Sequence, residues 1–565
     1  MKIFIISLFL LSYLFANNST FECSKSKKLN LSDFYELVYN DQTLTIGKDS
    51  LERLKETRAF IQHLLSNKIK VYGLSTGFAD LRDYTVSSDN AGKLSENIIK
   101  SHDAGIGSNL SYDVVLGAMI LRANSLAKGN SGFSEESLQT LLDMINAKII
   151  PLIPSTGSLG ASGDLAFLSR LGRAMQGDDV KVHFNGKIIS AKEALETAKI
   201  KPFIPKAKEG LALTNGTSFM SSMLSIAYIK NLHEFENLLA LQSLFYNSIG
   251  AVDAAFYDSI HTVRNQKGQK DIANIIKKFF VNSPFIDIND VQNDYCIRCI
   301  PQILGPKLEI MMSLFDIINN ELNAITDNPL IFKNEEISSD VQSSRILDFN
   351  EDSWGVFSGG NFHGEYLATA ADILAILNAK LAITMERQIS YLLNPARNKN
   401  KLPIYLIHNK DQAGLLSGFM IVQYTANALT QKICQLATPS STYNITSGNE
   451  SEDIVSYGAT SAQKLLMQID LLHEMNVVYM TSVAQAYAIT RDEYISKGNM
   501  ISENLICEEI YDLIKNSYNI NLPIDEDCAF DKLYEAGSLF LRSNKLREKI
   551  DFPLTSSFGL SNVRF

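Results

Sequence analysis

The sequence predicts a mainly α-helical protein built on a bundle of long helices, with a smaller mixed N-terminal part bearing polar loops. Three observations lead there. Beyond Asn215, apolar residues recur at three- and four-residue steps, as in Leu224, Tyr228, Leu232, Phe235 and Leu239, and again in Ile373, Leu377 and Leu381. The stretches 412–438 and 455–492 are equally apolar and nearly free of Gly and Pro, so their apolar faces must pack on one another. The first third instead alternates short segments with Gly- and Ser-containing turns.

The chain has 565 residues, 45% apolar and 20% charged, which is ordinary globular composition and enough to bury a large core. A formal charge of −10 and the lack of a long basic run argue against a nucleic-acid surface and favour small-molecule chemistry. Lys2 is followed by apolar Ile3 to Ala16 and then by polar Asn17-Asn18-Ser19-Thr20, the pattern of a secretory signal peptide cleaved after Ala16. The apolar run is shorter than the ~20 residues of a spanning helix, and no later stretch is expected to cross a bilayer. Residues 1–16 are therefore read as a signal peptide, 17–220 as the N-terminal part, 221–500 as the helix bundle and 501–565 as a C-terminal helical tail. Export to the periplasm follows. The six cysteines are scattered. Cys296 and Cys299 have C-x-x-C spacing without a second pair or histidines, so they are expected to be core thiols and no metal is expected.

Four Gly-rich loops interrupt the helices: Tyr72 to Phe78, Gly157 to Asp164, Asn215 to Thr217 and Ser358 to His363. Each could simply cap a helix, but such loops between rigid elements are also where chemistry gathers. Gly157-Ser158-Leu159-Gly160-Ala161-Ser162-Gly163-Asp164 fails as a hydrolase elbow, because Asp164 stands where the second glycine belongs. It also fails as a dinucleotide fingerprint, since no strand-helix-strand pattern surrounds it. A tight Ala-Ser-Gly turn can place the Gly163 amide nitrogen against the Ala161 carbonyl carbon, and ring closure with loss of two waters would turn the serine into an exocyclic methylidene. Glycine leaves that nitrogen unhindered.

With Leu165-Ala166 the motif resembles the signature of the histidine/phenylalanine/tyrosine ammonia-lyase family, whose electrophile is a methylidene-imidazolone, MIO. Further loops match in the family's order: Tyr72 to Phe78, Ser101 to Gly107, Leu213 to Thr217, Tyr295 to Gln302, Thr326 to Pro329 and Gly359 to His363. The resemblance runs from about Leu31 to the 490s and implies a helical bundle of the ammonia-lyase/fumarase-like type. It also implies an MIO formed from Ala161, Ser162 and Gly163 with no external cofactor, and a homotetramer whose active sites draw on more than one subunit. It implies elimination of ammonia from an L-aromatic amino acid to give a trans-arylacrylate.

By the same resemblance Tyr72 is the base that removes the β-proton, a task for which its phenol, ordinarily near pKa ~10, would have to be lowered. Tyr295 positions the electrophile or shuttles a proton, Arg298 clamps the substrate carboxylate, Asn215 binds substrate and the MIO ring, and Phe362 packs against that ring. Gln302 lies beside Arg298 in the same motif. Ser101-His102 occurs in histidine lyases and in one group of tyrosine lyases, and selects a polar ring. Ser417 to Ile421 and Glu452-Asp453 are similar to histidine lyases, whereas Cys299 to Gly305 and Gly364 to Tyr366 are similar to the tyrosine group. Two departures stand out. Lys432 occupies a position where histidine lyases carry glutamate, and a cation facing the ring would repel an imidazolium. Ala79-Asp80 follows Phe78 where the loop pattern has glycine. Histidine leads tyrosine slightly as substrate. An aromatic 2,3-aminomutase is the alternative within the fold, and an inactive exported helical scaffold is the alternative outside enzymes.

Overall fold

The computed structural model describes residues 20–550 and 558–560, so the signal-peptide reading of 1–16 lies outside the described residues. The chain forms two compact units, each discontinuous in sequence. Unit 1 comprises Met1–Met223, Ile318–Ala368 and Ser441–Thr460; unit 2 comprises Leu224–Ile317, Thr369–Ser440 and Ser461–Phe565.

Unit 1 is the mixed part. The helix Leu31–Tyr39 starts at Asn30, whose side chain accepts from the Asp33 amide in a reciprocal capping box, satisfying two N-terminal donors. A three-stranded antiparallel sheet places Asp352–Phe357 between Leu330–Lys333 and Ile346–Phe349. It brings Trp354 against Phe60 at 4.5 Å, in a core with Ile61, Leu64 and Leu74. The helix Tyr112–Ala127 is buried over nearly all its length, its apolar stretch Val114–Leu121 followed by buried Arg122, Asn124 and Ser125.

Long helices dominate unit 2. Ser218–Ser248, Glu365–Leu393, Met420–Leu436 and Gly458–Ser496 fall in the stretches whose apolar pattern predicted helix, Ile300–Glu321 is a further long helix, and Leu224, Tyr228, Leu232, Phe235 and Leu239 are buried. Helices enclosed on all sides bring polar residues inside, and many of these find partners. The Glu234 carboxylate accepts from His473 Nδ1 at 2.8 Å and Asn476 Nδ2 at 2.7 Å. With Nδ1 carrying the proton, His473 Nε2 accepts from Ser538 Oγ at 2.8 Å. Burial would raise Glu234, yet hydrogen bonds from His233 and His473 hold it well below the usual carboxylate range. Lys307 pairs with no carboxylate among the described residues: its Nζ donates to Asn231 Oδ1 at 2.5 Å and Asn378 Oδ1 at 2.6 Å.

Two sequence expectations need correction. Among the described residues one helix, Glu365–Leu393, is long and apolar enough to cross a membrane by length and composition, although 61% of its most apolar window is buried in the protein. A long core helix and a membrane span share composition, which is why the sequence expectation missed it. All six cysteines are free, and Cys296 and Cys299 are half-buried rather than core residues, because the short helix Tyr295–Arg298, which contains the first and is capped by the second, lies near the surface. Among the described residues no group of three metal-ligating side chains forms.

Candidate active site

The turn Gly157 to Asp164 is gripped by three separate parts of unit 1. From the Asn215–Gly216 loop, Asn215 Nδ2 donates to the Ser162 carbonyl at 2.7 Å. Gly216 pairs with Gly163 in a parallel bridge, and its carbonyl accepts from the Asp164 amide at 2.7 Å. From the loop at 359–364, the Gly364 amide donates to the Gly160 carbonyl at 3.0 Å. From the segment 447–457, Ser456 Oγ reaches that same carbonyl at 2.9 Å and the Tyr457 amide reaches the Leu159 carbonyl at 2.8 Å. Three loops distant in sequence thus converge on one turn, Leu159 to Asp164.

The contact between two glycines is sterically strict. Gly163 has φ +76°, and a Cβ there would lie 2.4, 2.5 and 2.6 Å from the carbonyl oxygen, nitrogen and carbonyl carbon of Gly216. Both the backbone conformation and the missing side chain are therefore required.

Ser162 Oγ donates to Glu452 Oε1 at 2.6 Å, while Glu452 Oε2 accepts from Ser447 Oγ at 2.7 Å. The Glu452 charge also acts on Tyr72 and His102, raising both pKa values. Burial is the larger influence on each: it lowers His102, whose Nδ1 is 2.9 Å from Ser101 Oγ, and it raises Tyr72. The expectation that the site lowers the Tyr72 phenol is thus contradicted here. Burial outweighs the Ala79 amide, which donates to Tyr72 Oη at 2.9 Å, and the positive charge of Arg82.

Asp164 is fully buried. Its carboxylate accepts from Ser158 Oγ at 2.9 Å and from the Phe219 and Met220 amides at 2.8 and 3.1 Å, at the N-terminus of the helix Ser218–Ser248. Burial still pushes it up to about 7. Phe362 is half-buried, two residues before the Gly364 that holds the turn.

Tyr295, Arg298, Gln302 and Lys432 belong to unit 2. Tyr295 is 70% exposed, and the Arg298 guanidinium lies over its ring at 4.6 Å. Arg298 spends Nε on the Asn293 carbonyl at 2.9 Å and has no ion-pair partner among the described residues, so it is not the surface salt bridge that would otherwise explain it. Both border a cavity of about 460 Å³ with Arg387 and Arg397. Gln302 and Lys432 are exposed, and Lys432 has no ion-pair partner among the described residues.

A family model of aromatic amino acid lyases matches residues 29–512. The chain belongs to the aromatic amino acid lyase family. This lyase is 35% identical over 488 residues to a histidine ammonia-lyase of Treponema denticola, across 85% of this chain and 91% of the relative. The solved histidine ammonia-lyase of Trypanosoma cruzi shares its fold with a TM-score of 0.80 at 28% identity, covering 97% of this chain and 98% of that one. The phenylalanine aminomutase of Pantoea agglomerans gives a TM-score of 0.81 at 25% identity, over 94% and 100% of the two chains. The protein is therefore a carbon–nitrogen lyase with the lyase fold.

Sequence reasoning left three residues of this lyase without a role: Asp164, Arg122 and Ser447. Asp164 stands inside the signature, where it serves only to exclude the hydrolase elbow. Arg122 had one signal, a lone cation in the otherwise apolar helix Tyr112–Ala127. Nothing in the sequence singles out Ser447, which is placed by a turn closed between Ser447 and Glu452.

Proposed function

We propose that the protein eliminates ammonia from an L-aromatic amino acid to give a trans-arylacrylate, with histidine ahead of tyrosine, at an electrophile made from Ala161, Ser162 and Gly163. The observation that carries this reading is the convergence on Ser162, where Asn215 holds the carbonyl and Glu452 the hydroxyl. The residues fit the MIO group: Gly163 lies against Gly216 with no room for a Cβ, and the Ser162 hydroxyl is held in place by the Glu452 carboxylate. When formed, the group supplies an electron-poor methylidene carbon that makes the departure of ammonia easier.

The remaining work falls to side chains. Arg298, with its terminal nitrogens uncommitted, takes the substrate carboxylate in a two-pronged contact. Tyr72 removes the β-proton once its phenol is ionised, aided by the Ala79 amide and Arg82. His102, held neutral by burial, and Glu452 meet the polar ring, and a carboxylate there suits an imidazole better than a phenol. Histidine is further supported by the relatives that carry its name. Exposure of Tyr295, Gln302 and Lys432 on a single chain supports a homotetramer with composite sites. Lys432 then faces a neighbouring site or solvent, and the first placement would favour an anionic ring.

Incubation with histidine, tyrosine and phenylalanine, followed by ultraviolet absorbance, tests the proposal. Urocanate from histidine is the expected product, and no conjugated acid from any of the three would sink it. The aminomutase likeness favours a second reading, in which ammonia returns to the β-carbon; chromatography showing a β-amino acid as main product would establish that instead. We propose export as well, from the pattern of residues 1–16, and recovery of full-length protein in the cytoplasm would overturn it.

A further inference from the structure

Directly behind the tripeptide lies a charge that the reaction does not use. Arg122 is fully buried and its guanidinium spends one nitrogen, Nη2, on the Ala212 carbonyl. Nε and Nη1 have no hydrogen-bond partner among the described residues. Nη1 faces Gly216 so closely that a Cβ there would sit 2.0 Å away. Gly216 in turn faces Gly163, where a Cβ would meet backbone at 2.4 Å. Arg122, Gly216 and Gly163 form a stack without slack, ending at the nitrogen that must approach Ala161.

The surroundings explain how such a cation persists. Burial lowers Arg122 to about 10, and Asp327 and Asp164 counteract it. Asp327 is committed to Lys208 at 2.9 Å, and Asp164 to Ser158 and two amides. Part of the positive charge is therefore left unmatched in a low-dielectric interior, where it acts more strongly than in water. A buried donor without a partner is costly, so two on one guanidinium require an explanation.

We propose that Arg122 is a positioning residue for the closure of the Ala161–Ser162–Gly163 ring. It braces Gly216 against Gly163, so that the turn in which the Gly163 nitrogen meets the Ala161 carbonyl cannot relax away. This rests on the reading that the tripeptide becomes the electrophile. In the step, Gly163 nitrogen bonds to the Ala161 carbonyl carbon. The Ala161 oxygen leaves as water with the amide hydrogens of Gly163 and Ser162. Ser162 Oγ, with its hydrogen, then leaves as a second water with the Ser162 α-hydrogen, and no outside oxidant or reductant is needed.

The test reads mass rather than turnover. Full-length chains carrying Arg122→Met, Arg122→Lys and Arg122→Ala are purified, checked for a cooperative melt, and digested so that the peptide spanning Ala161 to Gly163 is weighed. Wild type is expected to lack two waters. Arg122→Met is expected to keep both in most molecules, Arg122→Lys in a minority, and Arg122→Ala is expected to lose them again when expressed or refolded with guanidinium but not with urea. If Arg122→Met fails to fold, the lysine variant and the guanidinium arm decide. Complete water loss in folded Arg122→Met would overturn the proposal, as would equal retention in all three variants with no response to guanidinium. Wild type that itself keeps both waters would instead defeat the electrophile reading, so the two failures are told apart by which chain retains them.

Discussion

Ala79 has φ +45°, a left-handed conformation that costs a residue with a Cβ about 1 kcal/mol and costs glycine almost nothing. Its amide is nevertheless the group that donates to Tyr72 Oη. The departure from glycine noted in the sequence is thus a strained donor on the proposed base. Replacing Ala79 with Gly should stabilise this loop by up to about 1 kcal/mol, read as slower hydrogen exchange from residues 72 to 84. Arg82 offers a second handle. It lowers the Tyr72 phenol against the dominant effect of burial, so Arg82→Gln should move the rising limb of the kcat/KM profile to higher pH while leaving the plateau nearly unchanged. A limb that stays in place would show that another group sets it. His102, Asn215 and Glu452 could be singled out in the sequence because each sits in a short polar motif. The direction of the Tyr72 shift could not, because burial comes from folding and motifs carry no record of it.

Among elements, the segment before Tyr295 shows how exposed charges can align a site. Asp287 pairs with Lys401 at 3.0 Å, Asp290 with Lys399 and Asp294 with Arg397, three rungs running in opposite chain directions. Asp294 also caps the short helix Tyr295–Arg298, its carbonyl accepting from the Ile297 and Arg298 amides. Single exposed pairs contribute roughly 0–1 kcal/mol, so the set matters through alignment more than through stability. Arg397→Gln should raise KM several-fold with a smaller change in kcat, and added salt should imitate it in wild type but not in the variant. A melt shift without a change in KM would reduce the rungs to surface decoration. The line of Ser538, His473 and Glu234 resembles a hydrolytic relay in its spacing but lacks oxyanion donors, because Ser538 lies inside the helix Asp531–Arg542 where the amides are already spent. It ties that helix to the core. The long helices were legible from their period alone, since burial of an apolar stripe is local arithmetic. The three-stranded sheet of unit 1 was not, because its strands of four to six residues are too short for an alternating pattern to stand out.

At the scale of the molecule, stability carries two opposed titrations. Burial lowers Lys307 to about 7 from an ordinary 10.5, so its contribution is fully present above the unfolded value and is lost as pH falls through about 7. Asp164 is raised to about 7 from 3.8, so its contribution is present below the unfolded value and is lost as pH rises through about 7. Between pH 7 and 10 Lys307 supplies a slope of up to about 1.4 kcal/mol per pH unit. Lys307→Met should flatten the melting temperature over that range without affecting the acid limb, as scanning calorimetry at several pH values would show. An unchanged slope would mean that the lysine is charged inside the bundle. The bundle was legible in the sequence and the interleaving of the two units was not, because the residues that complete unit 1 arrive from the ends of helical stretches whose pattern reads as continuous.

That interleaving sets a clock on synthesis. Ala161, Ser162 and Gly163 leave the ribosome early, but Glu452, Ser456 and Tyr457, which hold Ser162 and the two residues before Ala161, belong to the last segment of unit 1, ending at Thr460. A nascent chain shorter than that contains the tripeptide without its complete grip. On the proposed electrophile reading, ring closure therefore waits until about four-fifths of the chain has been made, and a chain ending before Thr460 is expected to keep both waters.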